Sequence, residues 1–123
     1  MKYRNLGPKG SGGLKVSAIG VGCMPMIKGG NITYGEEADP DEAIKTIHRA
    51  IDLGITFFDT AQIYGPFSNE ELVGEAIKGK RDGLVIASKF GFKFDGGNIV
   101  GVDGSGANAK SAVEGTLKRL GIY

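Results

Sequence analysis

The chain has one cysteine, one histidine, no long apolar run and almost no net charge. Each shortage excludes something. Cys23 alone cannot close an internal disulfide. Cys23 and His48 together fall short of the four ligands of a structural zinc site. His48 lies at the edge of a helical apolar stripe and reads as a surface or interface residue. No stretch approaches the roughly 20 apolar residues of a membrane-spanning helix, and MKYRNLG at the N-terminus has no signal-peptide core. A net charge of +1 gives no field for nucleic acid, and Lys78, Lys80 and Arg81 flank a turn as solvated groups. The expectation is a cytoplasmic protein with no nucleic-acid or membrane partner. No solenoid-type repeat is present.

Glycine is the abundant residue, 22 in 123. The glycines cluster at 10–13, 29–30, 96–97 and 101–106, which implies long connections and not a fibrous repeat. The length suits one domain with a core and is too short for two.

The elements follow from local pattern. Residues 2–6 and 14–17, joined by GPKGSGG, read as a hairpin. SAIGVG, 17–22, is a short strand, weak in composition. CMPMIKGGNITYGEEA reads as a long loop. Asp39 is placed to cap a helix, with Pro40 at its first position and Glu42 three residues after the cap. Ala43, Ile44, Ile47, Ala50 and Ile51 share one face, and Gly54 ends the helix. ITFFD, 55–59, lacks alternation and so suits a strand buried on both faces. SNEE, 68–71, reads as a capping box for a second helix with Leu72, Val73, Ala76 and Ile77 inward and Gly79 as its stop. LVIASK, 84–89, is the next strand. A glycine-rich loop is expected over 91–106, then a third helix from about Asn108 to Leu120, with Ala109, Val113, Leu117 and Leu120 inward and Gly115 as a weak point. Strands alternating with helices predict a parallel α/β sheet with right-handed crossovers.

In such folds reactive groups gather where strands end. Asp59 ends one strand, Tyr64 follows in its loop, and Lys89 ends the next strand. Singly, each has a plain structural reading: a turn acid, a loop-packing ring, a solvated strand end. Together they make chemical sense. A phenol, with a pKa of about 10, is a poor acid at neutral pH unless its anion is stabilised. An ammonium beside it provides that stabilisation, and a carboxylate holds the ammonium charged and in place. Such a trio can protonate a carbonyl oxygen as hydride reaches the carbon. Cys23 has no evident activating partner, so a reactive thiol is not expected. Met24 and Met26 read as filler for a pocket or the core. GVGCMP does not fit the dinucleotide fingerprint. Pro25 replaces its third glycine, no helix can start there, and the next strand-ending acid is Asp59, well past the usual spacing of roughly 20 residues.

MKYRNLG with LKVSAIGVGCM, then GITFFDTAQIYG, then LVIASKFG, resembles the N-terminal part of the aldo-keto reductases. VDGSGANAKSAVEGTLKRLGI resembles the segment leading into that family's third helix, so the likeness runs from residue 2 to 123. The resemblance implies an N-terminal hairpin followed by three βα units of a (β/α)8 TIM barrel, incomplete in this chain, with residues 1–123 as one partial domain. It implies NADP(H) as cofactor and reduction of aldehydes or ketones. It assigns Tyr64 as proton donor, Lys89 and Asp59 as its partners, and Gly22, Cys23 and Met24, with Asp59, as the segment near the nicotinamide. It places the family's catalytic histidine beyond Tyr123, and His48 is not its equivalent. A barrel of this type takes roughly 250 residues. Three strands leave sheet edges and apolar faces open. The expectation is that these faces meet a second copy or a complementing C-terminal half. The alternatives are a non-catalytic interaction subunit or an inactive truncated product.

Overall fold

Asp39 starts the first helix as its sequence directs. Its carboxylate accepts from the Asp41 N–H at 2.9 Å, and Pro40 takes the first helical position. The computed structural model describes residues 1–8, 10, 12–27 and 38–123, so most of the expected long loop lies outside the described residues. Helix α1 spans Pro40–Asp52 and buries Ala43, Ile47 and Ala50. Ile44 and Ile51 pack beside them. Gly54, at φ 86°, turns the chain after the helix, a conformation glycine adopts without steric cost.

Two short strands open the chain, β1 (Tyr3–Leu6) and β2 (Leu14–Ser17), paired antiparallel with Tyr3 opposite Ser17. Ser17 fixes this hairpin to the next layer. Its N–H donates to Thr56 Oγ1 and its Oγ accepts from the Thr56 N–H, each at 2.9 Å. A parallel sheet follows, built from β3 (Val21–Gly22), β4 (Phe57–Asp59) and β5 (Val85–Ala87) in the order β3-β4-β5. Gly22, Asp59 and Ala87 stand in one row across it. Phe58, with no exposed surface, faces the core. Because Thr56 precedes β4 and Asp59 ends it, the hairpin lies at the opposite end of the sheet from Asp59.

Helix α2 spans Ser68–Ile77 and does not use the expected capping box. Phe67, at φ 67°, precedes it with no side-chain cap, and the Ser68 hydroxyl is buried without a partner. The loop supplies the acceptors instead. The Ser68 N–H donates to Pro66 O at 2.8 Å and the Asn69 N–H to Tyr64 O at 3.2 Å. The Glu71 N–H, which a Ser68 cap would bond, donates instead to Phe67 O at 3.2 Å. Leu72, Val73, Ala76 and Ile77 are buried as the pattern predicts, and Gly79 follows at φ 73°. His48 is no plain surface residue. Its Nε2 lies 2.8 Å from Ala76 O and ties α1 to α2. Since a carbonyl only accepts, Nε2 carries the proton.

Residues 91–106 are not one loop. They contain β6 (Phe92–Asp95) and β7 (Asn98–Val102), an antiparallel hairpin with an irregularity between Lys93 and Phe94. Gly96 and Gly97 turn it, both at positive φ, as the tight turn of a two-residue hairpin requires. Phe-Lys-Phe and Asn-Ile-Val around Gly-Gly are the signal for this hairpin. The glycine content of the segment masked it.

Helix α3 spans Gly106–Leu120, two residues earlier than expected, because Ser105 is its cap and accepts from the Asn108 N–H at 3.2 Å. Its inward face also differs. Ala112 and Leu120 are buried, while Val113 is 52% exposed and Leu117 37%. Thr116 and Arg119 turn inward to a buried acid on α2, which rotates the apolar stripe outward. Gly115 makes room for this: a Cβ there would meet Arg119 Nη1 at 2.9 Å. The apolar core brings α1, α2, Cys23, Phe58 and Leu120 into one cluster.

Candidate active site

The parallel register that sets Asp59 opposite Ala87 places them on one face, and the period of two along the chain carries that face to Lys89, two residues beyond Ala87. The ladder continues past the strand ends to hold this register. The Thr60 N–H donates to Ala87 O at 2.8 Å, the Gln62 N–H to Lys89 O at 3.2 Å, and the Cys23 N–H to Asp59 O at 2.8 Å. Asp59, Tyr64 and Lys89 therefore meet at one mouth of the sheet.

Lys89 is the centre of the group. Its ammonium donates to Asp59 Oδ1, to Thr60 O at 2.9 Å and to Tyr64 Oη at 3.2 Å. An ammonium has three protons, and each has an acceptor. Burial works against the charge, but the bonds to Asp59 and then to Tyr64 outweigh it, so Lys89 titrates above the ordinary lysine value. Because Tyr64 accepts from Lys89, its own O–H is left to donate elsewhere. The arrangement can deliver one proton from the phenol while a fixed positive charge stands beside the oxygen that loses it.

Gly22, Cys23 and Met24 lie beside this group and differ from one another. Gly22 is exposed, and a Cβ at its position would meet nothing within 4 Å. Cys23 has no exposed surface. Burial, then the negative charge of Asp59, pushes its thiol up to about 11. Only its backbone can reach a ligand. Met24 is half-buried in the turn that follows. An open groove beside Asp59 is lined by Gly20, Val21, Gly22 and Phe57.

The residues that hold this segment were not singled out from the sequence. Asn69, wholly buried, donates to Cys23 O and Met26 O, each at 2.7 Å, and accepts from Thr60 Oγ1 at 2.6 Å. It pins the turn after β3 against the end of β4. Gln62 donates to Ala112 O at 3.2 Å and ties the same loop to α3. Extending the apolar stripe of α2 back one turn from Val73 lands on Asn69. A polar residue on a buried stripe is the available signal, because it must find partners there. Reading SNEE as a cap obscured it. Among the described residues no cluster of three or more His, Cys, Asp or Glu could hold a metal, and no helix is long and apolar enough to cross a membrane.

Residues 18–123 match the Aldo/keto reductase family. The chain is similar to the aldo-keto reductase AKR11C1 from Bacillus halodurans in its holo form, with 35% identity over 99% of this chain and 37% of that one, at a TM-score of 0.81. It is also similar to PA4992 from Pseudomonas aeruginosa, named as a candidate aldo-keto reductase, with 37% identity over 98% of this chain and 43% of that one, at a TM-score of 0.76. The glycerol dehydrogenase AKR11B4 from Gluconobacter oxydans is 28% identical over 98% of this chain and 36% of that one, at a TM-score of 0.69. The chain thus spans less than half the length of each of these structures. Its hairpin and three βα units superpose on part of a TIM barrel, and the chain belongs to the aldo/keto reductase family.

Proposed function

We propose that this chain carries the proton-transfer residues of an NADP(H)-dependent carbonyl reductase, an oxidoreductase that converts aldehydes or ketones to alcohols. The observation that carries the proposal is the Lys89 ammonium bonded at once to Asp59 and to Tyr64 Oη. Tyr64 gives its proton to the substrate oxygen. Lys89 stabilises the phenolate left behind, and Asp59 keeps Lys89 charged and oriented. Fixed charge aimed at the atom where charge develops is an effective form of transition-state stabilisation.

A nicotinamide cofactor, when bound, supplies the hydride. The open space over Gly22 fits a flat ring, with the Cys23 backbone, Met24 and Asp59 at its border. The family and the holo description of one related structure support a nicotinamide cofactor. A cytoplasmic location and a small carbonyl substrate are part of the same proposal.

The test joins this chain to the C-terminal half of a related barrel and follows NADPH oxidation with a test aldehyde. Tyr64→Phe is expected to lower turnover by about 10²-fold or more, the scale of general acid catalysis, while leaving NADPH binding unchanged. Intact turnover in that variant removes Tyr64 from the role.

A second reading, a non-catalytic interaction subunit, draws on the open groove between β5 and α3, lined by Ile86, Phe90, Val113, Leu117 and Ile122. Light scattering on the purified chain tests it. A stable complex of defined size without reductase activity favours this reading, and a monomer counts against it.

A further inference from the structure

Glu70 is charged, lies in the first turn of α2, and has no exposed surface. Burying a carboxylate costs several kcal/mol unless its oxygens are fully bonded. Here they are. Oε1 accepts from Ser88 Oγ at 2.6 Å and from Thr116 Oγ1 at 2.8 Å, and Oε2 accepts from Arg119 Nε at 2.6 Å. One acid thereby joins α2, the end of β5 and α3. Gly115 leaves room for the guanidinium, and the Phe67 ring stacks on it at 4.5 Å.

Ser88 is the residue directly before Lys89. Successive side chains on an extended segment point to opposite faces. Holding Ser88 toward the helix layer therefore holds Lys89 toward the mouth of the sheet. The Lys89 carbonyl is fixed separately by the Gln62 N–H at 3.2 Å. Rotation about residues 88–89 would have to break both.

We propose that Glu70, acting through the Ser88 hydroxyl, is a positioning residue that keeps the Lys89 ammonium on Asp59 and Tyr64. An uncharged apolar contact could fasten α2 to α3. Such a contact would not orient the Ser88 hydroxyl, which needs a hydrogen-bonding partner, here the Glu70 carboxylate. The cost of a buried charge is thus spent one residue away from the proton-transfer group.

The inference rests on the proposed role of Lys89, and its test needs no turnover. The chain is made with isotope-labelled lysine, and two quantities are read by NMR: the titration midpoint of Lys89 and the cross-relaxation between its Cε protons and the Tyr64 ring. Ser88→Ala leaves Glu70 with Thr116 and Arg119. It is expected to abolish the cross-relaxation and to shift the Lys89 midpoint down toward the ordinary lysine value. Ser88→Thr retains the hydroxyl and is expected to restore both. The double variant Glu70→Met, Arg119→Met removes the acceptor without leaving a lone buried charge, and is expected to match Ser88→Ala. Should the double variant fail to fold, Ser88→Ala decides alone. A folded Ser88→Ala chain with both Lys89 signals unchanged overturns the positioning role. Retained turnover in Tyr64→Phe would overturn the catalytic reading instead, so the two failures are distinguishable.

Discussion

Lys89 donates to the Tyr64 hydroxyl across 3.2 Å, from a strand end 25 residues further along the chain. The contact depends on two strands ending in register, and its electrostatics predict a pH dependence. Burial opposes the Lys89 charge, while the bonds to Asp59 and Tyr64 overcome it, so the folded chain binds this proton more tightly than the unfolded chain does. The resulting stability is fully present below the unfolded lysine value and is lost as pH rises through the higher folded value. The window therefore opens near 10.5 and extends upward. Urea midpoints measured across this range in a Cys23→Ala background should fall with pH, and adding Asp59→Asn should flatten that fall. Equal slopes with and without Asp59 would show that the pair contributes nothing to folding.

Asn69→Ala should lower stability by about 3 kcal/mol. It removes the side-chain donor to Met26 O and the acceptor of the Thr60 hydroxyl, while Cys23 O keeps only the Met26 N–H at 2.9 Å, and an unmet buried polar group costs about 1–3 kcal/mol. Chemical denaturation measures the loss. Hydrogen exchange should show residues 23–26 opening first, since Asn69 is what clamps them.

Gly74→Ala should destabilise by about 1–3 kcal/mol, the usual cost of overpacking. A Cβ there would meet Arg119 O at 2.6 Å and Leu120 Cα at 2.8 Å. These are backbone atoms, which cannot swing aside, so α2 and α3 must separate. Gly79→Ala provides a contrast: nothing lies within 4 Å of the added carbon, but φ is +73°, so its cost is conformational and should leave the α2–α3 spacing unchanged. Comparing amide shifts in α3 between the two variants separates the causes.

Cys23 should resist alkylation. Its thiol is wholly buried and is pushed up to about 11 by burial and by Asp59, and the thiolate is the reactive form. Iodoacetamide at neutral pH should label the native chain far more slowly than the urea-unfolded chain. Equal rates would mean that the core around Cys23 opens freely.

Several features were legible from the residues alone because their causes are local. Asp39-Pro40 starts a helix through its own side chain and ring. The period-two row that carries Asp59 and Lys89 to one face needs only two strand ends in the same register. The third strand and the alternation of strands and helices follow from short apolar runs. The β6–β7 hairpin was also locally encoded, by two β-prone runs around Gly96-Gly97, but overall glycine content pointed to a loop instead.

The rest depended on partners distant in sequence. SNEE has the pattern of a capping box, yet carbonyls of the preceding loop satisfy the helix start, which leaves Asn69 and Glu70 to turn inward. Val113 and Leu117 have the spacing of a buried stripe, yet Glu70 draws Thr116 and Arg119 into that position. The sequence by itself determined the order of the first hairpin, the parallel strands and the three helices, and that Asp59 ends its strand, since capping, turn chemistry and side-chain alternation act over a few residues. Only the tertiary structure decided which face of α3 is buried and what holds Lys89 in place, because a buried carboxylate must be bonded by whatever donors the fold brings to it, and those donors lie 18, 46 and 49 residues away.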